Sequence, residues 1–133
     1  MNNALVSIGS LFALLAAAIH VYIFILESFL WRAPSTWRIF GIRSQADAGT
    51  TDFLAYNQGF YNLFLAVGAV IGILLQDENR LAACAVTIFA CASMAMAAIV
   101  LVTASRRSLR PALIQGTFPL LAVVFTTIGM MTD

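Results

Sequence analysis

Charge is scarce in this sequence, and lysine is absent. Charged residues make up 10% of the chain, and all seven basic side chains are arginine. Soluble domains carry about a quarter charged residues, so this composition argues against a soluble globular protein. The chain also lacks a Walker loop, an H-E-x-x-H pair, a nucleophile elbow and a dinucleotide-binding fingerprint. These absences leave the common nucleotide-dependent and hydrolytic enzymes without support in the sequence.

Long apolar runs fill most of the chain instead. Hydrophobic residues make up 62% of it and concentrate in four segments, about 4–31, 53–75, 81–103 and 112–131. Each approaches or exceeds the ~20 residues that a helix needs to cross a bilayer. Segments of this length satisfy their backbone hydrogen bonds as helices rather than as barrel strands. We therefore predict an all-α, single-domain, four-helix transmembrane bundle in which short connectors make successive helices antiparallel neighbours.

The arginines are distributed unevenly among the connectors. Only Arg80 falls between the second and third segments. The other six fall in the first and third connectors, which lie on the same side of a four-helix bundle, and the positive-inside rule places that side in the cytoplasm. Both termini are then expected outside. The six are Arg32, Arg38, Arg43, Arg106, Arg107 and Arg110.

Aromatic residues accompany the arginines of the first connector. Trp31, Trp37 and Phe40 suit an interfacial belt or a short helix lying at the membrane surface. In that arrangement the rings would face lipid and the arginines would face anionic headgroups. Three arginines in a short membrane loop do not form a nucleic-acid surface, so no nucleic-acid partner is expected.

Two ionisable residues interrupt the first apolar segment. Glu27 follows His20 by seven residues, almost two helical turns, so both lie on one helix face. A carboxyl and an imidazole inside a membrane are costly unless they have partners, water or a function. We expect Glu27 to be buried and paired, although sliding of this long segment could bring it to the headgroups. His20 could equally be a packing residue.

Polar residues also cluster near the start of the second segment, where Asp52 is a plausible N-cap. The side chains of 57, 58, 61 and 62 fall on one arc of about 140° at 100° per residue, and Gly68 and Gly72 continue that arc. Such a face is expected to pack against another helix. Interhelical hydrogen bonding and a ligand site explain the cluster about equally well. The four residues are Asn57, Gln58, Tyr61 and Asn62.

Depth estimates bring these groups together. At ~1.5 Å per residue, Glu27 matches Asn57 in depth, and His20 lies near Asn62. Gln115 enters with the fourth segment and shares a small, polar face with Pro119. We predict one polar pocket in the cytoplasmic half of the bundle. Its predicted ligand-binding residues are His20, Glu27, Asn57, Gln58, Tyr61, Asn62 and Gln115.

The third segment contains both cysteines. Cys84 and Cys91 lie on one face of one helix, ~10 Å apart in rise, and cannot form a disulfide with each other. Small residues permit close helix approach, which is the simplest role for them. No spacing of histidine and cysteine supports a metal site, and no cofactor is expected.

Three of these patterns together resemble a known family. They are His20…Glu27 in the first segment, the string from Tyr56 to Asn62 (Y-N-Q-G-F-Y-N) followed by L-F-L-A, and Gln115-Gly116 with Pro119. The string is the specific one. The chain resembles the small bacterial membrane family catalogued as domain of unknown function 1304. The resemblance implies four membrane helices and a bacterial inner-membrane location, and it implies no activity.

Three functional hypotheses remain from the sequence. The pocket could bind or transport a small polar molecule, a lipid headgroup or a proton, and a chain this small would then favour a homo-oligomer. Alternatively, His20 and Glu27 could be an acid/base pair of a membrane enzyme acting on a lipid-soluble substrate by proton transfer. A third hypothesis is a structural partner of another membrane protein. An absent cavity would favour that third hypothesis. The lipid bilayer is the one partner common to all three.

Overall fold

Four long helices and one short helix make up the protein. The computed structural model describes residues 1–104 and 108–132, and within those ranges it contains no strand. Four of the helices are long and apolar enough to cross a membrane, which confirms the predicted all-α class. The helices are α1 (Asn3–Ser28), α2 (Pro34–Trp37), α3 (Gln45–Leu74), α4 (Arg80–Ala104) and α5 (Leu109–Met131).

Capping residues explain where the long helices begin. The side chain of Asn2 accepts a hydrogen bond from the backbone of Leu5 at 3.2 Å and starts α1. Ser44 accepts one from the backbone of Asp47 at 3.0 Å and starts α3. The sequence-based prediction of Asp52 as the N-cap of α3 is wrong. The helix begins earlier because Ser44 and Asp47 cap it, ahead of the apolar run that marked the membrane span.

The long helices form a ring in which each packs mainly against two others. α1 lies between α3 and α5, and α4 lies between the same two helices on the opposite side. Neighbours are antiparallel, as predicted: on α3, Gly59 lies against the end of α1, whereas Gln76, just beyond α3, donates a hydrogen bond to Ser10 near the start of α1. α3 and α5 occupy opposite corners of the ring.

Glycines mark where helices cross. Gly9 of α1 lies against Thr126 of α5, and Gly72 of α3 lies against Thr87 of α4. Both threonine side chains are fully buried, and their hydroxyls have no hydrogen-bond partner among the described residues. Small residues let helix backbones approach closely where lipid removes the hydrophobic driving force. At both crossings, a threonine hydroxyl of one helix therefore packs against a glycine of its neighbour.

Alanine dominates the interior at the middle of the bundle. The central cluster combines seven alanines with Cys91 and Met94, and partly buried Phe12 and Phe118 pack against it. Cys84 and Cys91 are both buried free thiols, as expected for small packing residues. Pro119 interrupts the backbone ladder of α5 and is fully buried, which neighbouring helices make tolerable. The seven alanines are Ala13, Ala16, Ala17, Ala66, Ala69, Ala90 and Ala122.

The first connector, residues 29–44, folds onto the start of α3. The indole N–H of Trp31 donates to the carbonyl of Ala48 at 3.0 Å, and that of Trp37 donates to Gln45 Oε1 at 3.2 Å. Both tryptophans are buried in the protein. The predicted short helix exists as α2, but the prediction that its tryptophan rings face lipid is wrong. Their N–H groups find partners on α3, so the rings pack inward.

Candidate functional site

His20 and Glu27 lie on one buried stripe of α1. The stripe recurs every seven residues from Val6 through Ala13 to His20 and Glu27. His20 is 1% exposed and Glu27 is 8% exposed, so the expectation of a buried Glu27 is confirmed. The two side chains are not joined to each other: His20 Nδ1 lies 2.9 Å from the carbonyl oxygen of Ala16, one turn back on its own helix. His20 is held by its own helix and lies two turns away from the carboxyl.

Asn62 is the partner of Glu27. Its Nδ2 donates to Glu27 Oε2 at 2.8 Å and to the carbonyl oxygen of Gln58 at 3.1 Å. Asn62 is itself buried, on the α3 face that packs against α1. The stripe Ala55, Gly59, Asn62 brings the helices close enough for this contact, because Gly59 lies directly against Ser28. A carboxyl and an amide thus link α1 to α3 inside the bundle.

A cavity of about 270 Å³ adjoins this pair. It lies between the end of α1, the first connector and the early turns of α3. Leu54 is 64% exposed and Gln58 is exposed, so the cavity opens on the outer side of α3. Glu27 is the one charged side chain among its lining residues, which are Glu27, Trp31, Ile42, Thr51, Leu54, Ala55 and Gln58.

Hydrogen bonds hold the first connector over this cavity. Arg32 pairs with Asp52 at 2.8 Å, and Gln45 donates to the carbonyl oxygen of Arg32 at 3.1 Å. The hydrogen bond from Arg32 to Asp52 and the charge of Asp52 raise the pKa of the Arg32 guanidinium. Asp52 therefore anchors the connector rather than capping α3.

The prediction that all seven polar residues meet in one pocket is wrong in part. The structure brings together Glu27, Asn62 and Gln58. Asn57 and Tyr61 are exposed, because the buried face of α3 is centred on Ala55, Gly59 and Asn62, and positions 57 and 61 lie well over 90° away at 100° per residue.

Gln115 is also separate from the carboxyl. It is half-buried on α5, the helix diagonally opposite α3. Within the described ranges no hydrogen bond joins it to Glu27 or Asn62. Gln115 lies in the early turns of α5, at the same end of the bundle as Glu27, but depth alone does not determine which corner of the ring a helix occupies.

A known protein family matches most of the chain. The model of the family described as protein of unknown function (DUF1304) matches residues 14–127. The chain belongs to the DUF1304 family. No curated protein and no solved structure matches it. The matched range contains the whole of α3 and α4, both residues of the carboxyl–amide pair and the whole cavity lining.

Several cavity residues of this DUF1304 protein escaped the sequence analysis. Ile42 and Thr51 carried no signal that separated them from the other residues of the first connector and the start of the second segment. Trp31 was assigned to the lipid interface, although a tryptophan four residues after a buried glutamate could have suggested a shared site. The small-residue spacing of Ala55 and Gly59 was the available signal for the α1-facing side of α3.

A second, larger groove in the DUF1304 chain contains none of the predicted site residues. It measures about 350 Å³ and runs between α4 and α5, where Gly116 lies against Ala98. Its lining is almost entirely apolar, and the hydroxyl of Thr117 is bonded to its own helix at 2.7 Å. Among the described residues no group of histidine, cysteine and carboxylate side chains could hold a metal ion.

Proposed function

We propose that this small membrane protein binds a small ligand in the Glu27 cavity. The observation that carries the proposal is a buried carboxyl group that lines an open cavity of about 270 Å³ and accepts a hydrogen bond from Asn62. An acid buried at membrane depth is costly and commonly marks a site of function. Apolar walls with a few convergent polar groups are typical of ligand sites.

The acid/base enzyme hypothesis has less support from the geometry. His20 Nδ1 contacts the carbonyl of Ala16, and seven residues along the helix put the imidazole ~10 Å in rise from Glu27. A proton-transfer pair needs both groups within hydrogen-bond reach of the same substrate atoms or of a connecting water. Binding needs only the carboxyl and the cavity.

Filling the cavity tests the proposal. Ala55 lines it and is 6% exposed, so Ala55→Leu occupies part of its volume. Gln58→Trp plugs the mouth from an exposed position and should not disturb packing. Ala18→Leu, at a lipid-facing position of α1, is the matched control.

Binding would be measured by calorimetry on the full chain in nanodiscs, with three one-ring probes: 2-phenylethylammonium, 2-phenylethanol and 3-phenylpropionate. We expect at least one probe to bind the parent protein and the Ala18→Leu control, and to lose its affinity in both cavity variants. If no probe binds the parent protein, or if a bound probe is unaffected by both cavity variants, the cavity is not the binding site.

A further inference from the structure

The hydrogen-bond donors around the Glu27 cavity are already in use. Both N–H groups of Asn62 are committed, one to Glu27 and one to the carbonyl of Gln58. The hydroxyl of Thr51 donates to the carbonyl of Asp47 at 2.9 Å, and the indole N–H of Trp31 donates to Ala48. Among the lining side chains, the exposed amide of Gln58 is the donor that stays available to a ligand. The same amide also carries an acceptor oxygen.

The cavity therefore presents hydrogen-bond acceptors and an ionisable carboxyl group. A carboxylate has about four lone-pair positions, and Asn62 uses one of those on Glu27. Among the residues that the structure describes, no basic side chain belongs to the lining, and Arg32, which follows Trp31 in the chain, pairs with Asp52 on the protein surface. An anionic ligand would meet repulsion from Glu27 and find no free buried donor. A ligand that donates hydrogen bonds and carries positive charge would meet complementary groups.

The remaining walls suit the body of such a ligand. Trp31 lies in the lining and is 7% exposed, and the face of an indole attracts organic cations. Ile42, Leu54 and Ala55 make the rest of the surface apolar. The volume of about 270 Å³ lies just below the usual range of small-molecule pockets. It accommodates one small amine, or the head of a lipid whose chains stay in the bilayer beside exposed Leu54.

We propose that the Glu27 cavity recognises an organic ammonium group. The ammonium N–H groups would donate to the free lone pairs of Glu27 and to the side-chain oxygen of Gln58, and the attached carbon atoms would lie against Trp31. This specificity rests on the proposed function, since it names the chemical class of the ligand that the cavity takes. The ammonium could belong to a free amine or to an ethanolamine headgroup.

The three matched probes separate the two proposals. In nanodiscs of phosphatidylglycerol, which has no ammonium group, we expect 2-phenylethylammonium to bind about ten-fold or more tightly than 2-phenylethanol and 3-phenylpropionate, as expected when a hydrogen bond to a charged group is gained. Glu27→Gln keeps the shape of the side chain and should abolish this preference. Ala18→Leu should retain it.

The outcomes are distinguishable. If the alcohol or the carboxylate binds as tightly as the amine, and loses its affinity in Ala55→Leu and Gln58→Trp, the cavity is a binding site but the proposed ammonium specificity is wrong. If the amine preference survives in Glu27→Gln, ammonium specificity at this carboxyl is also wrong. If no probe binds the parent protein, both proposals fail.

A change of lipid identifies the source of the ammonium. Replacing part of the phosphatidylglycerol with phosphatidylethanolamine should weaken amine binding several-fold if the headgroup occupies the same cavity. Unchanged amine affinity assigns the site to a free amine. Either result supports the ammonium class, because both require the preference over the alcohol and the carboxylate that the first measurement establishes.

Discussion

At the scale of single residues, Asn62 and Glu27 depend on each other. Asn62 is 9% exposed and Glu27 is 8% exposed, so neither side chain can exchange its partner for bulk water at little cost. A buried acceptor that loses its donor is more costly than the hydrogen bond itself is worth. Removing either side chain should therefore destabilise the protein mainly because the other side chain is left buried without its hydrogen-bond partner.

Asn62→Ala is expected to destabilise the protein by about 1–3 kcal/mol, because Glu27 then keeps a buried oxygen without its donor. Asn57→Ala removes an exposed amide from the same helix and should change stability by no more than about 0.5 kcal/mol. Reversible unfolding in mixed micelles measures both. In a Glu27→Gln background the cost of Asn62→Ala should fall. An equal cost in both backgrounds would show that the two residues are not coupled.

Part of this residue pattern was predictable. Periodicity along α1 correctly put His20 and Glu27 on one buried face, because a single helix fixes that geometry. The partner of Glu27 required the rotation of α3 relative to α1, which the polar arc of α3 indicated wrongly. The buried face of α3 instead follows Ala55, Gly59 and Asn62, since close backbone approach decides the packing and exposed amides tolerate the headgroup region.

At the scale of helices, glycines differ in how much room their neighbours leave. A Cβ at Gly72 would lie 2.8 Å from the backbone nitrogen of Thr87, whereas a Cβ at Gly68 would lie 3.4 Å from the Cβ of Ala90. The prediction that both glycines contact another helix is confirmed. The two positions nevertheless should respond differently to an added methyl group. At Gly72 it would collide with the backbone of Thr87, which cannot move aside, whereas at Gly68 it would make an ordinary van der Waals contact with Ala90.

Gly72→Ala is expected to destabilise the bundle by about 1–3 kcal/mol, because the added methyl separates α3 from α4. Gly68→Ala should be neutral or stabilising by up to about 1 kcal/mol, because alanine is the better helix former. Thermal or denaturant unfolding of the pair in one detergent compares them directly. If both substitutions have the same effect, the glycine–threonine contact is not what sets the α3–α4 distance.

The lengths of the helices were less predictable than their existence. Hydropathy located all four spans, because a membrane requires an apolar run of that length. It missed the first turns of α3, from Gln45 onward, since those turns are polar. Their stability comes from the Ser44–Asp47 cap and from contacts with the first connector, and neither contributes to hydropathy.

At the scale of the whole molecule, the ring of antiparallel helices puts the first and third connectors at one end. Arg32, Arg38, Arg43 and Arg110 therefore share that end. Arg106 and Arg107 lie outside the described residues. The Glu27 cavity opens at the same end, so the orientation of the bundle decides which compartment supplies its ligand.

The positive-inside rule predicts that both termini are outside the cytoplasm. A reporter that is active only in the cytoplasm should therefore be inactive when fused to the C-terminus, and active when inserted in the first connector beside Gly41, which adopts a positive φ of 77°. A reporter active only outside the cytoplasm should give the reverse pattern. Cytoplasmic activity of the C-terminal fusion would invert the orientation and would place the cavity mouth on the outer side.

The alanine-rich centre of the bundle also restricts how any solute could cross it. Ala16, Ala69 and Ala122 are each 0% exposed and belong to one packed cluster, so the described residues close the axis of the bundle at mid-depth. Widening that axis would require separating the glycine contacts that hold neighbouring helices together. A molecule taken up beside Glu27 would therefore leave by the side it entered or travel along the lipid-facing perimeter rather than pass through a central pore.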